Sequence, residues 1–74
     1  MAEQNIESEV SGNVWKIEVA VGDSVEVDDV IMILESMKME IPVEAPVKGT
    51  ITQILVAEKD AVKEDQVVAV IEVG

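Results

Sequence analysis

Apolar side chains fall at nearly the same spacing in two segments of the chain, residues 13–19 and residues 50–56. In each segment they alternate with polar residues, as in a half-buried strand, except for one break. A β-bulge after the first apolar position would return the later ones to the same face. We therefore predict two strands, bulged near Trp15–Lys16 and near Thr52–Gln53. The apolar positions are Val14, Ile17 and Val19 in the first segment and Ile51, Ile54 and Val56 in the second.

Each predicted bulged strand belongs to a longer series of β elements. A glycine opens a turn before the strand, and an acidic turn and a short strand around Val25 or Val62 follow it. The last element of each series, Val30–Ser36 or Val67–Val73, is apolar on both faces, which indicates a strand covered on both sides. The glycines are Gly12 and Gly49, and the extended leaders before them are Gln4–Ser8 and Ile41–Ala45.

The chain contains an internal repeat. Residues 11–36 align without a gap on residues 48–73, a shift of 37 residues, and nine of the 26 aligned pairs are identical. Chance would give about one or two identities, so the repeat indicates one structural unit present twice. Residues 55–65 have a helix-like content of Ala, Glu and Lys, but they align with a Val-rich segment and are predicted to be β as well. We predict a single all-β domain over residues 1–74, with about eight strands in two sheets packed about a quasi-two-fold axis.

The composition supports strands and restricts the chemistry. The chain has fifteen Val and eight Ile but two Leu, and β-branched side chains pack better in sheets than in helices. It has no His and no Cys, so we predict no catalytic residue and no metal site, and we do not expect an enzyme. The single aromatic residue, Trp15, is predicted to contribute to packing rather than to recognition.

Charge and hydropathy restrict the partners and the location. The formal net charge is −11, which argues against nucleic acid or an anionic membrane as a partner. No apolar run approaches the about 20 residues that a membrane span needs. The acidic, polar N-terminus does not have the pattern of a signal peptide. We therefore expect a cytoplasmic location. We also expect the protein to be a monomer.

One lysine lies between two methionines at the centre of the chain, in the sequence Glu-Ser-Met-Lys-Met-Glu (35–40). Met37 and Lys38 join two predicted strands, which predicts a two-residue hairpin turn, although such turns favour Asn-Gly. The two-fold places this turn at the opposite end from the chain termini, where a group offered to another protein would belong. In the alternative interpretation, Met37 and Met39 fold back into the core and Lys38 is an ordinary surface residue.

The Glu-Ser-Met-Lys-Met segment resembles the Glu-Ala-Met-Lys-Met motif of biotinyl domains, the carrier domains of biotin-dependent carboxylases. The resemblance extends over essentially the whole chain, through Gly12, Gly22-Asp23 and Gly49, and is nearest to small biotin/lipoyl attachment proteins. It implies a flattened β-barrel, or sandwich, of two four-stranded antiparallel sheets of the hammerhead type. Lipoyl domains share this fold. The gapless repeat leaves no room for the thumb loop of some bacterial biotin carboxyl carriers.

The resemblance also implies roles for individual residues. Lys38 matches the lysine that carries biotin, and the residues around it become candidates for recognition by a biotin protein ligase, with Ser36 in place of the usual alanine. These candidates are Glu35, Ser36, Met37, Met39 and Glu40. The implied function is to carry carboxylate on biotin between biotin carboxylase and carboxyltransferase subunits. An exposed lysine amine is almost fully protonated at pH 7, so the ligase has to supply the base and an activated acyl group.

Two other functions stay open. A lipoyl carrier or dual biotin/lipoyl acceptor, modified by a lipoyl ligase and serving a 2-oxo acid dehydrogenase complex, is the second hypothesis. A purely structural module of the same fold is the third. Lipoyl domains typically have Asp-Lys-Ala at the turn, so methionine on both sides of Lys38 favours biotin. Lys59 stands where many relatives have glycine, which predicts strain in the second acidic turn.

Overall fold

Eight β-strands and no helix form in residues 2–74, the part of the chain that the computed structural model describes. The strands make two four-stranded antiparallel sheets, ordered β1-β8-β6-β3 and β5-β4-β2-β7. The predicted all-β fold is therefore confirmed: β4 and β8 have the predicted bounds, and the ends of the other long strands differ from the predicted ones by one or two residues. Nothing in residues 2–74 forms a helix that could cross a bilayer. The strands are β1 (Glu3–Glu7), β2 (Gly12–Ile17), β3 (Ser24–Val25), β4 (Val30–Ser36), β5 (Met39–Glu44), β6 (Gly49–Ile54), β7 (Ala61–Val62) and β8 (Val67–Val73).

The two sheets have the same construction. Strands β2, β3 and β4 recur 37 residues later as β6, β7 and β8, and each pair of equivalent strands occupies the same place in its own sheet. Hydrogen bonds between turns and strands recur as well: Val14 N donates to Asp60 O at 2.8 Å, and Ile51 N donates to Asp23 O at 2.9 Å. A quasi-two-fold axis thus relates the two sheets.

Both predicted bulges are present. The register between β2 and β4 shifts between Val14 and Lys16, and the register between β6 and β8 shifts between Ile51 and Gln53. Trp15 is the extra residue in the first bulge. These bulges explain why the apolar spacing of the two segments departs from strict alternation.

The core lies between the two sheets and is built from the inward side chains of both. Val25 and Val62, the predicted equivalent positions on the short strands, are 4% and 3% exposed. β8 is covered on both faces over most of its length, whereas β4 leaves Val30 exposed at its start. The largest fully buried side chains are Ile31, Met32, Leu34, Ile51, Ile71, Val14, Val68 and Ser8.

The molecule is elongated, 36 Å by 17 Å by 17 Å. Gly74 lies against Gly49 at one end. β1 leads away from this end beside β8, and residues 8–11 carry the chain on to Gly12, which contacts Glu35 next to the β4–β5 turn. The β4–β5 turn and the C-terminus therefore lie at opposite ends of the long axis, as the repeat predicts.

Candidate functional site

The β4–β5 turn is a two-residue hairpin turn, as predicted. Ser36 pairs with Met39 across the last rung of the ladder, so Met37 and Lys38 are the two central residues. Their φ angles are +52° and +66°, the left-handed values that a type I′ turn requires. Residues other than glycine pay roughly 1–2 kcal/mol each for this conformation. The turn therefore holds Lys38 in a fixed backbone geometry at a cost in stability.

Two contacts hold the turn against the start of β2. Ser36 Oγ donates a hydrogen bond to the carbonyl oxygen of Ser11 at 2.8 Å, a bond that alanine at this position could not make. At Gly12, any Cβ atom would overlap the carbonyl oxygen of Glu35. Gly12 is thus required by close approach, and the serine in place of the usual alanine gains a hydrogen bond beneath the turn.

The two methionines of the turn are exposed. Met37 is 91% exposed and Met39 is 64% exposed. Met32, in the middle of β4, is fully buried by contrast. The alternative in which the tip methionines join the core is therefore wrong. Thioether side chains are flexible and polarisable, so they suit contact with a partner surface that varies in shape.

Lys38 is exposed and lacks a carboxylate partner. Among the residues that the structure describes, the one ion pair joins Lys16 Nζ to Glu18 Oε1 at 3.6 Å. Within the described residues, the Lys38 amine is therefore not held in an ion pair.

An acidic pair lies directly behind the turn. Glu35 and Glu40 are opposite each other on neighbouring strands and both are exposed, an arrangement that destabilises a sheet slightly. The same pairing recurs at the other end of the molecule between Glu3 and Glu72. The acidic pair alone therefore does not distinguish the tip, whereas the turn, its two methionines and Lys38 do.

A groove beside the tip was not predicted from the sequence. It is lined by Asn13, Val14, Trp15, Glu35 and Lys59. Trp15 is 51% exposed and lies outside the core, so the prediction that it serves packing is wrong. The bulge accounts for this, because Val14 takes the inward position and Trp15 is the additional residue, left on the surface.

The groove is closed on one side by the turn that precedes β7. Lys59 N donates to Val14 O at 2.7 Å, and Glu58 Oε2 accepts a hydrogen bond from Ile17 N at 3.3 Å. Lys59 has a φ angle of +76°, so the predicted strain in this turn is confirmed. Trp15 and Lys59 are far apart in sequence. The repeat sets both positions apart, because it aligns them with Thr52 and Gly22, residues of different character.

Comparison with known proteins places this site in a family. A family model described as biotin-requiring enzyme, of the biotin/lipoyl type, matches residues 3–71. The chain belongs to the biotin/lipoyl family. The resemblance to biotinyl domains inferred from residues 35–39 is thereby confirmed. Members of this family are attachment domains that act as carriers rather than as catalysts.

Two curated relatives are similar over part of the chain. A biotin/lipoyl attachment protein of Bacillus subtilis (strain 168) is 51% identical over 35 residues, which are 47% of this chain and 48% of the relative. Biotinylated protein TB7.3 of Mycobacterium tuberculosis (strain ATCC 25618 / H37Rv) is 42% identical over 40 residues, 54% of this chain and 56% of the relative. The chain thus spans about half the length of these curated relatives.

A solved structure is similar over nearly the whole chain. The urea carboxylase of Kluyveromyces lactis matches with a TM-score of 0.92 and 39% identity, over 97% of this chain and 6% of that much longer one. The present chain therefore has the fold of a biotin/lipoyl-family domain and resembles one domain of a carboxylase.

Proposed function

We propose that this protein is a carrier whose Lys38 is linked to biotin by a biotin protein ligase. The observation that supports this most strongly is the left-handed two-residue turn that presents Lys38 between exposed Met37 and Met39. The turn lies at the far end of the molecule from Gly74. A tether or partner at the C-terminal end would leave the whole tip accessible.

The residues of the turn fit the attachment of biotin through an amide. Lys38 gives up a proton to a base of the ligase, and its neutral amine then attacks the acyl carbon of adenylated biotin. An amide bond forms and the adenylate leaves. Exposed Met37 and Met39 contact the ligase, and Glu35, Ser36 and Glu40 complete the recognised surface. This protein is the substrate of that reaction, since the groups that activate the acyl carbon belong to the ligase.

The attached biotin would supply reversible binding of carboxylate. Lys38 holds it on a flexible side chain, and the rigid two-sheet body carries it between two active sites. We infer that these belong to the biotin carboxylase and carboxyltransferase parts of a biotin-dependent carboxylase, in line with the similarity to urea carboxylase. Tethering raises the effective concentration of the carried group at both sites to about the millimolar range.

Lipoate is the second candidate for Lys38. The observation that favours it is the similarity to a relative named for attachment of both cofactors, the biotin/lipoyl attachment protein of Bacillus subtilis. Biotin is preferred because both neighbours of Lys38 are methionines and because another relative is named as a biotinylated protein.

Intact-mass spectrometry tests this assignment. The protein is purified from cells grown with biotin and from cells starved of it, with a lipoate supply held constant. The proposal expects one biotinyl group per chain in the first sample and unmodified chain in the second. The mass of a lipoyl group in both samples would show that Lys38 carries lipoate rather than biotin. An unmodified chain in both samples would contradict the carrier function.

A further inference from the structure

The groove beside the tip differs from its two-fold counterpart in its side chains but not in its backbone. Trp15 corresponds to Thr52 in the other bulge, and Lys59 corresponds to Gly22 in the other acidic turn. Lys59 and Gly22 each donate a backbone N–H to the bulged strand beside them, both at 2.7 Å. The scaffold therefore folds in the same way with a threonine and a glycine at these places, and it does not need the indole or the amine.

Both side chains are costly where they stand. Trp15 is 51% exposed. Lys59 has a φ of +76°, whereas the equivalent position in the first repeat, also at positive φ, is occupied by Gly22. Strained residues that persist in a fold cluster at functional sites. The exposed indole and a lysine at positive φ line one groove at the tip end, which makes this groove a candidate binding site.

We propose that the biotinyl group on Lys38 docks reversibly in this groove while it is outside a partner's active site. The inference rests on the proposed function. Glu35 lines the groove and precedes Lys38 by three residues across the hairpin turn, so their Cα atoms are no more than about 11 Å apart even at full extension. A lysine side chain extended by an amide and a valeryl chain can span this distance.

The groove matches the chemistry of the bicyclic ring of biotin. The apolar face of that ring suits the exposed indole of Trp15. The ureido N–H groups find acceptors in the Asn13 amide oxygen and the Glu35 carboxylate, and the ureido carbonyl finds a donor in the Lys59 ammonium. The aligned positions in the other repeat carry threonine and glycine in place of the indole and the amine.

Docking would compete with delivery. A ring held on the carrier is unavailable to an active site, so a partner gains the cofactor only by binding it more tightly than the groove does. The groove would thus hold the ring between visits and release it to a matching site.

The fluorescence of Trp15 tests the proposal directly, because the chain has no other aromatic residue. Apo protein and protein biotinylated by a biotin protein ligase, each verified by intact mass, are titrated with acrylamide. Docking covers the exposed face of the indole, so the quenching constant of the biotinylated protein should fall by about two-fold or more. Equal quenching constants in the two forms would overturn the docking.

Two variants control the result. Lys59→Gly copies the first repeat and removes the amine, so biotinylation should change quenching less than in the wild type. The double variant Trp15→Thr/Thr52→Trp moves the only indole to the equivalent bulge at the other end, where biotinylation should leave quenching unchanged. A decrease in the double variant as large as in the wild type would overturn the proposal. A chain that gains no biotin mass contradicts the proposed function itself, which separates the two failures.

Discussion

Replacing Lys59 with glycine should stabilise the protein, although the substitution removes a large side chain. Lys59 has a φ of +76°, in the left-handed region. Glycine adopts this conformation without steric strain, so the substitution removes about 1–2 kcal/mol of backbone strain. Glycine also increases the conformational entropy of the unfolded chain, which lowers the free energy of unfolding by about 0.5–1 kcal/mol and offsets part of this stabilisation. The net expectation is an increase of about 0.5–1 kcal/mol in the free energy of unfolding. For a domain of this size that raises Tm by about 2–8 °C.

Lys63→Gly is the matched control. Lys63 is exposed and is not among the residues with positive φ, so its replacement removes the same charge without relieving strain. It should lower the free energy of unfolding by about 0.5–1 kcal/mol. Urea unfolding followed by far-ultraviolet circular dichroism gives both values, and unchanged m-values would show that the comparison concerns stability alone.

The reciprocal change at the other end should have the opposite sign. Gly22 has a φ of +98° and a Cβ there would meet no atom within 4 Å, so Gly22→Lys introduces backbone strain without a clash. We expect a loss of about 0.5–1 kcal/mol. If Lys59→Gly destabilises the protein as much as Lys63→Gly does, the account of strain at Lys59 is refuted.

Further predictions concern the core and the tip. Val25→Ala and Val62→Ala should each lower the free energy of unfolding by about 1–3 kcal/mol, since the two side chains are equally buried. If urea unfolding showed one substitution to be neutral and the other strongly destabilising, the quasi-two-fold symmetry of the core would be contradicted. Changing Met37 to Asp together with Met39 to Ala should move stability by only a few tenths to about 1 kcal/mol, because both side chains are exposed. In competition assays read by mass, biotin transfer to that variant should fall and lipoylation should rise. An unchanged rate of biotin transfer with a collapsed Tm would show instead that the methionines are structural.

The sequence predicted the parts of the structure that depend on local pattern and on the repeat. The two sheets, both bulges and the hairpin turn at Met37-Lys38 follow from the spacing of apolar residues and from the 37-residue repeat. An element that is clearly predicted in one repeat is predicted in the other by the alignment. For these elements, the determining residues lie close together in the chain or at a fixed offset. The strain at Lys59 follows instead from the family resemblance, because many relatives have glycine at this position.

The groove could not be predicted from the sequence because the residues that line it come together only in the folded chain. Val14 and Lys59 are joined by a hydrogen bond between segments 45 residues apart, and no local pattern indicates that contact. The sequence alone predicts that Trp15 contributes to packing rather than to recognition. The bulge reverses this expectation, since it places one additional side chain on the surface.

The identity of the modified lysine tests the central claim most directly. Wild-type, Lys38→Arg and Lys63→Arg proteins are produced in cells supplied with biotin and are mapped by peptide mass spectrometry. Arginine keeps the positive charge but cannot be acylated in this way. Biotin should be found on Lys38 in the wild type and in the Lys63→Arg protein, and on no residue of the Lys38→Arg protein. Biotin retained by the Lys38→Arg protein would contradict the assignment of the tip as the site of attachment.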